Sequence, residues 1–147
     1  MIVVDASVLA NALADDGPDG ASARSRLINA GELVAPDLID VETTAVLRKR
    51  WIAADLDDQR FSEAVSDLED LDLTRYPTLP LMRRAFELRS NVTAYGAAYV
   101  ALAEQLGCSL LTADQRLAAA PMVACTVEVL CPDRRDCGVR AAAAVRG

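Results

Sequence analysis

The sequence predicts a single α/β domain in which a mainly parallel sheet lies between two layers of helices. Three observations support this prediction. Strand and helix patterns alternate along the chain, two short apolar runs lead directly into carboxylates, and 52% of the 147 residues are hydrophobic. That length and composition are sufficient for one buried core, and strands separated by helices favour parallel pairing.

The predicted strands are short and apolar, and helical periodicity fills the intervals between them. The strand predictions cover residues 2–5, 33–35, 73–76, 108–112 and 126–130. The helix predictions cover residues 6–14, 21–30, 36–53, 80–88, 93–107 and 113–119, and one further helix begins at Asp57. Turn chemistry predicts a loop at residues 15–20 (DDGPDG). Residues 131–147 offer no apolar stripe, so we expect a domain over 1–130 and a tail that is disordered or vector-derived.

Composition excludes several kinds of chemistry. The chain has no histidine, which removes Ser-His-Asp and Cys-His catalysis and histidine-bound zinc. Its four cysteines include no CxxC pair, so a cysteine zinc site is not expected either. No basic n-region precedes the apolar N-terminus and no apolar run is long enough for a membrane span, so we expect a cytoplasmic protein without membrane association.

Three carboxylates occupy positions that a purely structural role does not require. Asp5 follows the apolar run Ile-Val-Val, and Asp114 follows the predicted strand that ends at Thr112. Carboxyl ends of parallel strands form the ligand crevice of such sheets. Glu42 lies on the predicted apolar face of its helix, with Leu38, Val41, Ala45 and Val46, where an unpaired carboxylate is costly. Asp40 projects elsewhere and is expected to be solvated.

Each acid also has a local explanation. Asp5 and Asp114 could cap the helices that follow them, and Ser7 could serve as a cap as well. Glu42 could form a salt bridge at a helix edge. Taken together, however, the three acids would meet at one edge of the sheet, where mutual repulsion favours a bound cation. An oxygen-only site suits Mg²⁺ or Mn²⁺.

The stretch TAYGAAYVALAEQLG (93–107) contains a glycine that its helix does not favour. Thr93 is a suitable N-cap and Gly107 a suitable stop. Gly96 lies in the first turn, where glycine costs about 1 kcal/mol relative to alanine. It shares a helical flank with Tyr99, so a side chain at position 96 is expected to face the crevice. The sequence supplies no capping or packing reason for glycine there.

These motifs resemble a known family. VVDASVL around Asp5, LIDVETTAVLRK around Glu42 and TAYGAAYVALAEQLGCSLLTAD ending at Asp114 are similar to PIN-domain ribonucleases, and most of all to VapC toxins of VapBC toxin–antitoxin modules. The resemblance covers roughly residues 1–130. It implies a PIN-like three-layer α/β/α fold.

The resemblance also implies an activity and a site. Members of the family are Mg²⁺-dependent endoribonucleases and type II toxins, whose third motif normally reads Tyr-Asp where this chain has Tyr95-Gly96. It implies that Asp5, Glu42 and Asp114 are catalytic and bind the metal, that Thr112 supports Asp114 by a hydrogen bond, and that position 96 has lost a ligand, by engineering or natural decay. Reduced activity follows.

The resemblance further implies a VapB-type antitoxin, an RNA substrate, and a homodimer or toxin–antitoxin hetero-oligomer. Net charge is −7, so RNA contact would depend on local cations. Arg116 is the stronger RNA candidate. Lys49, with Arg48 and Arg50, ends the Glu42 helix, where cations also offset the helix dipole.

Two other interpretations stay open. The chain could be a catalytically inactive PIN module that only binds its antitoxin, which would need no cation. It could also be a receiver-like or haloacid phosphatase-like enzyme, since both place an Asp after an apolar strand. The latter class needs a second Asp where Ser7 stands, and a receiver needs a lysine near the domain end, whereas Lys49 is mid-chain.

Overall fold

Five parallel strands form the centre of the domain, of which a computed structural model describes residues 1–130. The strands are β1 (Ile2–Val4), β2 (Leu33–Pro36), β3 (Thr74–Tyr76), β4 (Ser109–Thr112) and β5 (Val127–Val129). Their order is β3-β2-β1-β4-β5, and each adjacent pair is parallel. Ile2 pairs with Leu33 on one side and with Ser109 on the other. The predicted α/β class with a mainly parallel sheet is confirmed.

Helices cover both faces of this sheet. They are α1 (Ala6–Ala14), α2 (Pro18–Ile28), α3 (Ile39–Ile52), α4 (Asp58–Asp70), α5 (Met82–Glu87), α6 (Ala94–Leu106) and α7 (Gln115–Ala119), with a 3₁₀ turn at Leu79–Leu81. Right-handed crossovers in this strand order place α1–α4 on one face and α5–α7 on the other. The contacts agree, since α1 packs against α2, α3 and α4, whereas α6 packs against α5 and strands β1, β2 and β4.

The ends of α6 follow from its sequence. The Thr93 hydroxyl accepts a hydrogen bond from the Gly96 N–H (3.2 Å), which satisfies one of the open donors of the first turn. Gly107 ends the helix in the left-handed conformation (φ 63°), which glycine adopts without steric cost. Between these caps, Tyr99, Val100 and Leu102 are buried in the core. Both predicted caps are confirmed.

Two helix starts differ from the prediction by three residues, and proline explains both. Pro36 ends strand β2, in register with Tyr76, instead of opening the next helix. Proline lacks an N–H, so it fits a strand end better than a strand centre. Helix α3 therefore begins at Ile39. Helix α2 begins earlier than predicted, because Pro18 occupies its first turn, where no N–H partner is needed.

The buried face of α3 also differs from the prediction. Val41 is 76% exposed, and the buried positions of the helix are Ile39, Thr43 and Leu47. These three residues are spaced four apart from the first residue of α3, and the row that they form faces the core. The adjacent row, which contains Glu42, is half-buried. Asp40 was expected to be solvated, and its side chain is 41% exposed; it also forms an ion pair with Arg75 (Nε–Oδ2 2.9 Å), which lies on β3.

The predicted tail, residues 131–147, lies outside the described residues. Within residues 1–130, no helix has the length and apolar character needed to cross a membrane.

Candidate functional site

The strand order places a natural ligand position between β1 and β4. Within the sheet, β2 pairs with one edge of β1, and the chain later returns to place β4 at the other edge of β1. At such a switch point the connections leave in opposite directions and open a crevice at the carboxyl ends of the strands. Asp5 directly follows β1 and Asp114 follows β4 by two residues. The two strand-end acids therefore lie at the switch point, as the sequence predicts.

Asp5 is buried and its carboxylate is held by hydrogen bonds. It is 7% exposed. Its Oδ1 accepts from the Ser7 N–H (3.0 Å), the Val8 N–H (3.1 Å) and the Ser7 hydroxyl, and its Oδ2 accepts from the Thr112 hydroxyl. The first two bonds are a helix N-cap. Helix capping and a role in a ligand site are therefore compatible, because the capping bonds also fix the carboxylate in one orientation at the strand end.

Ser7 and Thr112 connect the two strand ends. The Thr112 hydroxyl, fully buried, donates to Asp5 and accepts from the Asp114 N–H (3.0 Å). The Ser7 hydroxyl donates to Asp5 and accepts from the Ala113 N–H (3.1 Å). Thr112 therefore contacts the backbone of Asp114 and the carboxylate of Asp5. Its role extends beyond the predicted support of Asp114.

Glu42 reaches the same crevice from α3. Its Oε2 accepts a hydrogen bond from the Tyr99 hydroxyl (2.7 Å) on α6. Tyr99 is 2% exposed, so its ring is part of the core while its hydroxyl meets the half-buried carboxylate. This contact joins helices from opposite faces of the sheet. Glu42 makes no salt bridge in the described part of the chain.

Asp114 is oriented by Arg116, two residues away. Its Oδ1 accepts from the Arg116 N–H (2.9 Å) and Nε (3.1 Å), and its Oδ2 accepts from Nη2 (3.0 Å). The Arg116 side chain is 91% exposed, whereas that of Asp114 is 40% exposed. The pair lies at the solvent side of the crevice.

The three acids and Arg116 line one cavity of about 310 Å³. Its walls include Asp5, Glu42, Asp114, Arg116 and Gly96. Gly96 thus faces the crevice, as the sequence analysis expected. Lys49 does not line it.

The backbone conformation at position 96 does not require glycine, but neighbouring side chains leave little room for a larger residue. An added Cβ would lie 3.1 Å from Cγ1 of Val92, and 3.5 Å from both Cδ1 of Leu117 and Oγ1 of Thr93. The first contact is tight enough that Val92 must shift by a few tenths of an ångström. A modest packing reason for glycine therefore exists, although no positive φ requires it. The sequence alone did not reveal this constraint.

Burial disfavours the charged forms of the two inner acids, Asp5 and Glu42. Burial raises the pKa of Asp5, although its hydrogen bonds oppose the shift. Burial also raises the pKa of Glu42, and the nearby charge of Asp5 raises it further. By contrast, hydrogen bonds from Arg116 lower the pKa of Asp114. A cation beside Asp5 and Glu42 would offset the cost of burying two like charges.

The donor chemistry fits a hard divalent cation, whereas the present spacing is too open for a complete site. All three acids offer oxygen ligands, which Mg²⁺ and Mn²⁺ prefer. Among residues 1–130, however, no group of three or more acidic, histidine or cysteine side chains is close enough to hold a metal ion. Asp114 is turned toward Arg116, and position 96 offers no ligand.

Sequence reasoning missed the part played by Tyr99 and understated that of Ser7. Tyr99 was assigned only to the apolar face of its helix. Its position three residues after Gly96, on the same flank, was the available signal. Ser7 was considered only as an alternative helix cap, and nothing in the local sequence shows that its hydroxyl accepts a bond from the β4 side.

A parallel α/β domain with carboxylates at its switch point belongs to the class of domains that bind anionic or metal-bearing ligands there. The PIN domain family model matches residues 2–122. VapC ribonuclease Mb0985 of Mycobacterium bovis is 42% identical over 130 residues, covering 88% of this chain and 98% of the relative. Ribonuclease VapC1 of Mycobacterium tuberculosis is 38% identical over 129 residues, covering 87% and 96%. The chain therefore belongs to the PIN-domain family of VapC ribonuclease toxins.

Solved structures agree with the fold. VapC20 of Mycobacterium tuberculosis superposes with a TM-score of 0.64 at 15% identity, covering 81% of this chain and 94% of that one. PAE2754 of Pyrobaculum aerophilum superposes with a TM-score of 0.54 at 25% identity, covering 80% and 84%. Similarity at such low identity supports the three-layer PIN fold.

Proposed function

We propose that this chain is a Mg²⁺-dependent endoribonuclease toxin of a type II toxin–antitoxin system, with activity reduced by glycine at position 96. Mn²⁺ would serve as an alternative ion. The observation that carries the proposal is the convergence of Asp5, Glu42 and Asp114 on one cavity that Gly96 also faces. The names of the relatives add the chemistry, since they are ribonucleases.

In this proposal the acids would act on a bound cation. Asp5 and Asp114 would hold the cation directly or through water, and Glu42 would be a further ligand or would orient the attacking water. When bound, a divalent cation lowers the pKa of a water molecule and stabilises negative charge on a scissile phosphate. Thr112 and Ser7 keep the Asp5 carboxylate in one orientation, and Tyr99 does the same for Glu42. Such prepositioning removes the cost of reorganising charges during the reaction.

The glycine at position 96 reduces the negative charge available to the cation. Loss of one main electrostatic element commonly lowers catalytic rates by about 10²-fold or more. We therefore expect weak metal binding and slow cleavage. The open spacing of the three acids is in keeping with this expectation.

The RNA substrate would be contacted by Arg116, with Lys49 as a second candidate. Arg116 lines the cavity and its guanidinium is exposed, so it can reach a phosphate next to the acids. Lys49 is exposed near the end of α3 and could contact RNA only outside the cavity.

A VapB-type antitoxin is the proposed protein partner, because the relatives described above are VapC proteins. Its C-terminal segment would cover the acidic crevice, and an arginine from it would match the exposed carboxylates. The proposal includes a homodimer or a toxin–antitoxin hetero-oligomer. A cytoplasmic location follows from the proposed substrate, since cellular RNA and Mg²⁺ occur together there.

One observation favours a second candidate, an inactive PIN module that only binds its antitoxin. Arg116 neutralises Asp114 and position 96 carries no carboxylate, so two of the four expected ligand positions are not available as the chain stands. A module of this kind would bind its partner without any divalent cation.

RNA cleavage and calorimetry distinguish the two candidates. The full chain is incubated with total cellular RNA in Mg²⁺ or in EDTA, and Mn²⁺ binding is measured by titration calorimetry. Asp5→Asn removes a crevice charge, and Asp67→Asn is the matched control, because Asp67 is exposed on α4. Circular dichroism verifies folding of both variants.

The nuclease proposal expects slow cleavage that EDTA and Asp5→Asn abolish and Asp67→Asn leaves unchanged. Mn²⁺ affinity should follow the same order. The inactive module would instead be established by three results together. The chain would neither cleave RNA nor bind Mn²⁺, and EDTA would not affect its binding to the antitoxin.

A further inference from the structure

Arg116 occupies the carboxylate that the proposed cation needs. Its Nε and Nη2 atoms contact the two oxygens of Asp114, one each (3.1 and 3.0 Å), and its backbone N–H contacts Oδ1 (2.9 Å). Both Asp114 oxygens are therefore engaged by the same residue. A cation that binds Asp114 must compete with this guanidinium.

The other two acids have only neutral partners. Asp5 is bonded to N–H groups and hydroxyls, and Glu42 to the Tyr99 hydroxyl. Within residues 1–130, Arg116 is the only basic residue that lines the cavity. The positive charge of the crevice is thus concentrated on one side chain at its mouth.

The Arg116 side chain can leave Asp114 without backbone movement. It is 91% exposed, so only water and Asp114 restrain it. Exposed ion pairs contribute little free energy, and a phosphate offers the guanidinium the same two-point geometry as a carboxylate. An RNA phosphate that enters the crevice is therefore a suitable replacement for Asp114.

We propose that Arg116 is an exchangeable counter-ion, which pairs with Asp114 in the free chain and moves to an RNA phosphate when substrate enters. The exchange releases Asp114 toward the cation, so RNA and the divalent ion bind with positive coupling. By thermodynamic reciprocity each ligand strengthens the other by the same factor. This inference rests on the proposed function and adds to it a regulation of the same site, in which the cation is recruited mainly together with substrate.

The test measures Mn²⁺ affinity of the full chain by calorimetry, with and without a short single-stranded RNA whose integrity is checked by gel electrophoresis after each titration. Arg116→Gln removes the guanidinium. Arg83→Gln is the matched control, because Arg83 is exposed on α5 and does not line the cavity. Both variants change the net charge equally, so a general charge effect would appear in both.

Without RNA, we expect Arg116→Gln to bind Mn²⁺ about fivefold more tightly or better, at the lower end of typical coupling factors. The RNA should strengthen Mn²⁺ binding by a similar factor in the unsubstituted chain and in Arg83→Gln, but not in Arg116→Gln. Equal affinity of all three proteins, or equal strengthening by RNA in all three, overturns the exchange.

Failure of the exchange can be separated from failure of the proposed function. If Mn²⁺ binds and Asp5→Asn abolishes that binding, while Arg116→Gln has no effect, the cation site stands and the exchange is refuted. If neither the unsubstituted chain nor Gly96→Asp nor Arg116→Gln binds Mn²⁺, both proposals are overturned.

A second measurement follows the NMR resonance of the Arg116 Nε–H, with diamagnetic Mg²⁺ in place of Mn²⁺. We expect the protection of this N–H from solvent exchange to fall when Mg²⁺ is added and to return when RNA is added.

Discussion

Replacing Gly96 with aspartate is expected to complete the acidic crevice and to strengthen both cation binding and RNA cleavage. Position 96 lies on α6, one turn before Tyr99, whose hydroxyl bonds Glu42 at 2.7 Å. An Asp side chain there extends from a cavity wall that Asp5 and Asp114 also line. The added carboxylate would therefore supply the ligand that the three existing acids lack.

The magnitude follows from Coulomb's law. Two unit charges about 4 Å apart interact with about 1 kcal/mol in bulk water, so a carboxylate and a divalent cation gain about 2 kcal/mol as a conservative value. That energy corresponds to about 30-fold in affinity. The rate of Mg²⁺-dependent cleavage should rise by about 10²-fold, the usual effect of one main electrostatic element.

Packing and helix chemistry modify the stability of the variant. The new Cβ must displace Cγ1 of Val92, which lies only 3.1 Å away. An acid at the third helical position, after the Thr93 cap, interacts favourably with the helix dipole. In metal-free protein a fourth carboxylate also increases repulsion with Asp5 and Glu42. We therefore expect a lower melting temperature in EDTA than for Gly96→Asn, and a rise on addition of Mg²⁺.

The assays are Mn²⁺ calorimetry, cleavage of labelled RNA in Mg²⁺ and thermal unfolding by circular dichroism. Gly96→Asn is the control, since it adds a side chain of the same size without charge. The reasoning is refuted if Gly96→Asp and Gly96→Asn match the unsubstituted chain in Mn²⁺ affinity and in cleavage rate.

Three further predictions concern stability. The buried Thr43 hydroxyl has no hydrogen-bond partner within residues 1–130. Thr43→Val should therefore raise the free energy of unfolding, measured by urea titration, by about 1 kcal/mol. The control Thr44→Val removes a hydrogen bond to the Asp40 carbonyl oxygen (2.8 Å) and should not raise the free energy of unfolding. Burial raises the folded-state pKa of Glu42 above its ordinary value of 4.5, and the charge of Asp5 raises it further. The folded chain therefore binds this proton more strongly than the unfolded chain does. The free energy of unfolding should fall as pH rises from 4.5 through the folded-state pKa. Glu42→Gln should therefore stabilise the chain more at pH 7 than at pH 4, and an equal effect at both would contradict this assignment. Gly107 has φ 63°, so Gly107→Ala should cost about 1 kcal/mol on denaturant unfolding, and a cost near zero would show that the helix end relaxes.

Much of the fold was predictable because its signals are local. Thr93 and Gly107 delimit α6 through capping, which involves residues within one helical turn. The alternation of short strands and helices was sufficient for the parallel sheet. Two prolines misled the prediction: Pro18, which was assigned to a loop, lies in the first turn of α2, and Pro36, which was assigned to a helix start, ends β2.

The candidate site was predictable only in part. Asp5 and Asp114 were identified because each follows an apolar strand, and Glu42 because it is spaced four residues from both Leu38 and Val46 on the predicted apolar face of its helix. Their partners were not identified. Tyr99 lies 57 residues from Glu42 in sequence, and the pair meets only because α3 and α6, on opposite faces, bring these two side chains to the same edge of the sheet.

The sequence by itself determined the fold class, the acids at the strand ends and the unexpected glycine in α6, because these depend on periodicity, capping and residue type within short segments. The tertiary structure alone decided which oxygens are already bonded. It gave Asp5 the Thr112 hydroxyl, Glu42 the Tyr99 hydroxyl and Asp114 the Arg116 guanidinium. The first two pairings depend on how distant segments approach one another, and the third, between residues two apart, depends on the side-chain rotamers, so no local pattern encodes them.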